Sequence, residues 1–285
     1  RMRKLTVVAI LLLILTAAVM LRQVAGSSDE YSRYNTGWNG TSSFFGQIPD
    51  SQCIWDADSL TGKTGTLLLV ISPSHDFTGE GLSAYLRAGN TILLFDQAGN
   101  ANAFLSSLGS SITVHDAEVR SPNMEYKDAG LFRADVLENL FGTNVTHLFF
   151  NYPGYVTGGE TIIQTSSLSW VDLDGDNTAD ANEPLKVYSL AASDTIGNGR
   201  IVVVADPSLF VNSMLDRKHT ENMAVLKALL QEEPYIYLAG TDVENGSGIT
   251  GLLSLLHRYP GAGVGLFGIL FLCGGGIYLW RRNKS

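Results

Sequence analysis

Two apolar segments without a charged residue bracket this chain, at residues 5–21 and 261–280. At about 1.5 Å of rise per residue, a helix of either length approaches or spans a hydrocarbon core of roughly 30 Å. Basic residues lie on the outer flank of both segments: Arg1, Arg3 and Lys4 before the first, and Arg281, Arg282 and Lys284 after the second. Because short runs of Lys and Arg stay in the cytoplasm, we expect transmembrane helices at 1–22 and 259–281 with both termini inside.

This topology leaves an extracytoplasmic domain at residues 23–240, a juxtamembrane segment at 241–258 and a cytoplasmic tail at 282–285. The first apolar segment also has the features of a secretory signal peptide, although its length favours a retained anchor. The juxtamembrane segment is amphipathic, so it either lies along the outer membrane face or packs on the domain. We therefore expect a protein of the cell membrane whose main domain lies outside.

The part of the chain predicted to lie outside is strongly acidic. Six of the 19 Lys and Arg residues lie at the two ends, so 13 remain against 28 Asp and Glu in residues 5–280, a net charge of −15. Such a surface repels a phosphate backbone, and we expect no nucleic-acid partner. Sequons of the form Asn-x-Ser/Thr make three residues candidates for glycosylation: Asn39, Asn144 and Asn245.

Short apolar strands alternate with amphipathic helices along the predicted outer domain. The apolar runs at 66–72 and 91–95 are typical of strands buried on both faces, and residues 78–89 between them have helical spacing. Further helices are expected at 100–108, 133–140 and 220–231, and further strands at 145–150, 185–191 and 200–205. The pattern predicts an α/β domain, a three-layer sandwich with a mostly parallel sheet.

The segment 172–183, DLDGDNTADANE, carries the strongest chemical signal. Counted from its first residue, carboxylates occupy positions 1, 3, 5, 9 and 12, and position 7 offers a backbone carbonyl. These positions are Asp172, Asp174, Asp176, Asp180, Glu183 and, at position 7, Thr178. The spacing is that of a calcium loop, in which about six to eight oxygens surround the ion and the last Glu binds through both of its oxygens. We therefore predict one calcium ion in a structural role.

Two features depart from the usual calcium loop. Position 6, where a sharp turn normally requires Gly, is Asn177, which tolerates a positive φ better than other residues that carry a side chain. The flanks are not those of a helix–loop–helix hand, because the preceding residues look extended and Pro184 follows at once. The alternative is an acidic turn that binds no ion.

Other polar residues follow the apolar strands, where α/β sheets tend to place their ligands. His75 and Asp76 come after the first strand, and Asp206 follows the apolar run at 200–205, with Asn212 and Asn222 further along. We take these five residues as ligand-binding candidates. For Asp206 the alternative is a cap on the turn that follows it. No catalytic residue is assigned, because consecutive residues do not generally converge as nucleophile, base and orienting acid.

Four segments together resemble an uncharacterised family of archaeal membrane proteins. They are 31–45 (YSRYNTGWNGTSSFF), 72–96, 169–184 (SWVDLDGDNTADANEP) and 197–215 (GNGRIVVVADPSLFVNSML). The resemblance implies a flavodoxin-like outer domain similar to the class I glutamine-amidotransferase fold. In amidotransferases a nucleophilic cysteine follows a central strand, but the matching residues 95–99 have none, and Cys53 and Cys273 lie elsewhere. The resemblance therefore implies a fold that is used for binding.

Together these observations favour a non-enzymatic binding or scaffold module, anchored in the membrane and facing outward. The family resemblance further implies a membrane-associated assembly with other membrane or surface proteins, and a MoxR-type ATPase system among its partners. The alternative function is an extracytoplasmic hydrolase or transferase that acts on a cell-surface glycan or peptide. In that alternative, Asp206 and His75 would take part in the chemistry.

Overall fold

The computed structural model describes residues 30–33, 35–47, 60–73, 77–79, 81–125, 127–138, 143–215, 221–225, 228 and 236–238. All of these residues belong to one compact unit, Ser27–Thr241. The predicted membrane spans, juxtamembrane segment and cytoplasmic tail lie outside the described residues. Within the described ranges, no helix is long and apolar enough to cross a bilayer.

Strands dominate the described part of the domain, and its helices are short. In chain order the elements are α1 (Ser42–Phe45), β1 (Leu67–Ile71), α2 (Leu82–Arg87), β2 (Thr91–Phe95), α3 (Asn102–Ser107), β3 (Thr113–His115), β4 (Val119–Arg120), β5 (Met124–Glu125), β6 (Asp128–Val136), β7 (His147–Asn151), β8 (Tyr155–Thr157), β9 (Glu160–Gln164), β10 (Trp170–Val171), β11 (Ser189–Ile196), β12 (Gly199–Val204), α4 (Asn212–Leu215) and β13 (Ile236–Leu238). A 3-10 turn at Pro207–Phe210 precedes α4, and residues 221–225 are also helical.

Eleven of these strands form one mixed sheet, whose main path runs β13-β1-β2-β12-β11-β9-β6-β5. Strands β13, β1, β2 and β12 are parallel, and β11 begins the antiparallel half. Strand β6 pairs with β5, β7 and β9, so it changes partners along its length and the antiparallel half bends. Strands β4 and β10 form a separate two-stranded sheet.

The parallel strands of the sheet are covered on both faces. In β1, Leu67, Leu69 and Ile71 belong to one apolar cluster, whereas Leu68 and Val70 belong to the cluster on the other face. Strands β2 and β12 alternate between the same two clusters. Because side chains alternate between the faces of a strand, a continuous apolar run buries both faces. The predicted burial of the runs at 66–72 and 91–95 is therefore confirmed.

The strand–helix–strand unit at the start of the sheet is also confirmed in outline. Strands β1 and β2 pair in parallel, with Leu67 opposite Thr91. Helix α2 lies between them in the chain and buries Leu82, Tyr85 and Leu86. Its N-cap residue is Gly81, with φ at +80°, which places the helix start later than the predicted 78.

The predicted three-layer flavodoxin-like, glutamine-amidotransferase-like sandwich with a mostly parallel sheet is wrong. Within the described residues, the large sheet has three parallel strand pairs and seven antiparallel ones. One cause is the β11–β12 hairpin. Its two-residue loop begins with Gly197 at φ +63°, a left-handed position that short hairpin loops require. The hairpin places β11 antiparallel to the central strand β12.

A second cause is the segment at 133–140, which was expected to be a helix. Residues 133–136 instead continue β6, in which Gly130, Phe132 and Ala134 are buried and alternate with more exposed neighbours. This period of two is the signature of a strand. Replacing a covering helix with a strand removes part of a helical layer and adds antiparallel pairs.

Candidate metal centre

The segment 172–183, which we call the acidic loop, projects from a small β stem. Strand β10 leads into the loop and pairs antiparallel with β4. Beyond the loop, Lys186 forms an antiparallel bridge with Ser169. Both ends of the loop are therefore attached to the domain, whereas residues 173–182 are exposed to solvent.

The first three carboxylates of the acidic loop converge. One oxygen of each of Asp172, Asp174 and Asp176 lies within 4.8 Å of the others. Two ligands that each lie about 2.4 Å from a calcium ion are at most about 4.8 Å apart, so this spacing suits one shared ion. The Asp172 carboxylate also accepts the N–H groups of Gly175 at 2.9 Å and Asn177 at 3.3 Å, which hold it in place.

Hydrogen bonds between residues of the acidic loop stabilise its second half. Asp176 accepts both the N–H and the hydroxyl of Thr178, at 2.7 and 2.8 Å, and Asp180 accepts the N–H of Asn182 at 2.7 Å. The bond from the N–H of Thr178 lowers the pKa of the exposed Asp176 most, and the bond from the Thr178 hydroxyl lowers it further. The predicted ligand atom of Thr178, its backbone carbonyl, takes no part in these bonds.

Asn177 makes the sharp turn that the sequence analysis assigned to it. Its φ is +61°, in the left-handed region, so Asn at position 6 closes the loop as Gly would. Its side-chain oxygen accepts a hydrogen bond from Nε of Arg120 at 3.0 Å. This bond fixes the orientation of a residue whose conformation is otherwise unfavourable.

Glu183, at the end of the acidic loop, is a buried carboxylate with an unused oxygen. The residue is 2% exposed, and its Oε1 accepts the N–H of Leu173 at 2.6 Å. Its Oε2 is buried and has no hydrogen-bond partner among the described residues. Because Leu173 lies between Asp172 and Asp174 in the chain, the bond holds the carboxylate against the loop. An unpaired buried acceptor costs on the order of 1 to 3 kcal/mol. A cation or donor that bound this oxygen would therefore stabilise the folded chain.

Arg120 is a neighbour of the loop that the sequence did not predict. It is 3% exposed, and its Nη2 lies 3.2 Å from Asp172 and 2.6 Å from Glu118. Its guanidinium also lies over the ring of Tyr152, 4.6 Å from the centroid. Arg120 belongs to a strand of only two residues, which has no periodicity to mark it.

Asp206 is fully buried and caps the 3-10 turn that follows it. Its Oδ1 accepts the N–H of Ser208 at 2.7 Å, and its Oδ2 accepts the N–H of Asn151 at 2.8 Å. This is the capping alternative of the sequence analysis. Burial raises the pKa of Asp206 to about 6, and these N–H groups offset part of the effect. The pKa of Tyr31 is also raised, mainly because the residue is buried and secondly because of the negative charge of the nearby Asp206.

Asn212 and Asn222 are buried and connect distant parts of the chain. The Asn212 side chain accepts the N–H of Ser43 at 2.8 Å and donates to the carbonyl of Gly37 at 2.7 Å. Asn222 accepts the N–H of Phe149 and donates to its carbonyl, both at 2.8 Å. Both amides therefore anchor backbone, the first at α1 and the second at β7.

The remaining predicted residues are the two that follow β1 and the three sequons. His75, Asp76 and Asn245 lie outside the described residues. Of the other two sequons, Asn144 is exposed, and Asn39 is partly buried with its side-chain oxygen accepting from Asn35 at 3.0 Å. Glycosylation at the three sequons stays a prediction.

Comparison with known proteins assigns a family. The family model described as Domain of unknown function (DUF4350) matches residues 33–230, and the chain belongs to this family. No curated protein matches the chain.

Three solved structures that are similar to this chain are β-galactosidases. They come from Rahnella sp. R3 (13% identity, TM-score 0.35, covering 59% of this chain and 23% of that one), Bacillus circulans sp. alkalophilus (12%, 0.33, 59% and 23%) and Halorubrum lacusprofundi (16%, 0.34, 59% and 22%). The chain thus spans about a quarter of the length of these structures.

Proposed function

We propose that this chain is a non-enzymatic binding or scaffold module of the cell membrane whose extracytoplasmic domain holds one structural calcium ion in the acidic loop. The observation that carries the calcium proposal is the convergence of three aspartates, and the buried Glu183 oxygen without a partner adds a further acceptor at the end of the same loop. Calcium takes carboxylate oxygens as ligands, and its charge offsets the repulsion among them. Asp172, Asp174, Asp176 and Glu183 are the ligands of this proposal, with Asp180 and Thr178 closing the loop.

Arg120 does not supply enough charge to replace the ion. Its guanidinium reaches Asp172 and is shared with Glu118, so its single charge already faces two carboxylates. Asp174, Asp176 and Glu183 form no ion pair within the described residues. The negative charge that remains on the loop favours a divalent cation.

The membrane part of the proposal rests on the sequence. Basic residues outside two apolar segments favour cytoplasmic termini and an outward domain. The archaeal origin and the partners, other membrane or surface proteins with a MoxR-type ATPase system among them, are proposed from the family resemblance alone. Calcium in this proposal orders one excursion of the domain and takes no part in a reaction. The acidic surface disfavours nucleic acid as a partner.

The enzymatic alternative, an extracytoplasmic hydrolase or transferase for surface glycan or peptide, gains no support from the described residues. Both oxygens of Asp206 accept backbone N–H groups in a fully buried site. Its proposed companion His75 lies outside the described residues. We therefore retain the binding module as the proposed function.

Calcium titration tests the metal proposal directly. We expect the full chain to bind one calcium ion with measurable heat and to melt at a higher temperature in calcium than in chelator. Saturation at about 100 times the Kd adds about 2.7 kcal/mol of stability. Asp174→Asn and Glu183→Gln should each weaken calcium binding at least about tenfold, because each removes a charged ligand, which is worth more than about 1.4 kcal/mol.

Asp116→Asn is the matched control for these variants. Asp116 is exposed and lies outside the acidic loop, so the substitution makes the same change of charge without removing a ligand. It should bind calcium as the parent chain does. Absence of both heat and thermal stabilisation in the parent chain would show that the loop is an acidic turn without an ion. Equal binding by Glu183→Gln would show that Glu183 is not a ligand of the ion.

Protease accessibility tests the topology. Protease added to intact cells should digest the domain at 23–240, while a reporter fused after Ser285 should be active only in the cytoplasm. A domain that stays intact until the cells are opened, or a reporter active outside, contradicts the outward orientation. This result is independent of the calcium titration.

A further inference from the structure

An open polar cavity of about 380 Å³ lies at the end of the sheet where β12 begins. Its lining includes Leu137, Glu138, Glu160, Thr161, Ser193 and Arg200. The volume falls within the range of about 300 to 1,000 Å³ that is usual for small-ligand sites. Arg200 is the second residue of β12, so the cavity lies at the amino end of this strand. Ligand sites were expected at the carboxyl ends of the strands, so the sequence did not predict this cavity.

One wall of the cavity is a fixed ion pair. Arg200 donates to both carboxylate oxygens of Glu138, at 3.0 and 2.6 Å, and its Nη2 also donates to Oγ of Ser193 at 3.1 Å. A two-bond contact of this kind fixes the plane of the guanidinium. Because Glu138 neutralises Arg200, the pair adds no net charge to the cavity and does not attract an anion.

Glu160 supplies the charge of the cavity. Its backbone pairs with Ser193 across the β9–β11 ladder, which places it beside the residue that holds Arg200. Its carboxylate forms no ion pair with any described residue. The described lining therefore carries a net charge of −1, from a carboxylate that is free to bind a cation.

We propose that this cavity binds an organic ammonium group, with Glu160 as the charged anchor. The hydroxyl group of Ser193 bonds to a polar atom next to the nitrogen, and Leu137, which is 54% exposed, covers the adjoining aliphatic carbons. A single free carboxylate suits an ammonium better than a metal ion, which requires several oxygen ligands. An amino sugar and a lysine side chain of a partner protein both present this group.

Binding of paired probes to the full chain in chelator tests this site without calcium. Glucosamine is compared with glucose, and Nα-acetyl-lysine amide with the uncharged norleucine analogue, each at up to about 10 mM so that millimolar affinity is detected. We expect at least one ammonium probe to bind and its neutral analogue to bind at least tenfold more weakly. Glucosamine alone identifies an amino sugar as the ligand, and the lysine probe alone identifies a protein partner.

Glu160→Gln should weaken binding of the ammonium probe at least tenfold. Asp116→Asn makes the same change of charge outside the cavity and should leave this affinity unchanged. High salt should weaken binding as well, because the anchor is an exposed charge. No binding by either ammonium probe, equal binding of the charged and neutral analogues, or full affinity in Glu160→Gln would each overturn the proposal.

Discussion

Replacing Arg120 with methionine should lower the free energy of unfolding of the full chain by about 3 to 5 kcal/mol, the cost of breaking a buried ion pair from one side. Methionine keeps much of the length of the side chain but has no donor. The Asp172 side chain is completely shielded from solvent, so it would lose its cation without gaining water. Asn177 would also lose the donor that fixes its left-handed conformation, and Tyr152 the guanidinium over its ring.

Calcium should change the loss of stability that Arg120→Met causes. In chelator, nothing replaces the lost positive charge beside Asp172, so the destabilisation should have its full size. A calcium ion on the loop would neutralise Asp172 and should reduce the difference between variant and parent. Arg120→Met should also bind calcium more tightly than the parent chain, because a competing cation has been removed.

Chemical denaturation followed by tryptophan fluorescence, in chelator and in saturating calcium, measures both effects. Arg120→Lys is the matched control, since it keeps the charge and loses the bond from Nε to Asn177. It should lose less stability than Arg120→Met. A loss below about 1 kcal/mol for Arg120→Met would mean that the contacts of Arg120 are energetically minor. An equal loss with and without calcium would separate Arg120 from the proposed metal site.

The acidic loop was predictable because its chemistry is local. Asp172, Asp174, Asp176 and Glu183 lie within one run of twelve residues, and the turn at Asn177 follows from its own side chain. Arg120 lies more than fifty residues earlier and reaches the loop only because β4 pairs with β10. The charge that balances Asp172 therefore depends on tertiary structure and has no signal in the local sequence.

The sheet shows the same division between local and long-range information. The runs that became β1 and β2 were predicted because strands buried on both faces are continuously apolar. Strand β6 is covered unevenly along its two faces, and a segment with mixed burial does not distinguish a strand from a helix at short length. The direction of β11 depended on a two-residue turn at Gly197, which the alternation of apolar segments does not mark.

Ligand candidates chosen for their place after strands had a different outcome. Asp206 and Asn212 are polar residues in an apolar context, which marks either a binding group or a buried anchor. Their partners include backbone groups of Asn151, Ser208, Ser43 and Gly37, and only the folded chain brings these partners close. The cavity around Glu160 was not predicted, because its residues come from separate strands.

Asparagine at position 206 should remove a pH dependence of stability that the parent chain shows in acid. Burial raises the pKa of Asp206 from 3.8 to about 6, so the folded state holds this proton more tightly than the unfolded state does. Its contribution to stability is fully present below pH 3.8 and is lost as the pH rises through about 6. At about 1.4 kcal/mol for each pKa unit, the loss over this window is about 3 kcal/mol.

The comparison of the parent chain with Asp206→Asn isolates this group from the other titrating carboxylates. The stability of the parent minus that of the variant should fall by about 3 kcal/mol between pH values of about 3.5 and 7. Asparagine also replaces one of the two acceptor oxygens with an amide that cannot accept the N–H of Ser208 or Asn151. This loss shifts the variant at every pH and so affects the offset between the two curves, not their divergence.

Urea denaturation of the full chain at a series of pH values, in chelator throughout, measures this divergence. Chelator keeps calcium binding, which is itself pH-dependent, out of the comparison. Asp116→Asn, which makes the same change of charge at an exposed position, is the matched control. A constant difference between the parent and Asp206→Asn would mean that Asp206 has the same pKa in the folded and unfolded states. That result would be incompatible with a carboxylate that is fully buried in the folded state.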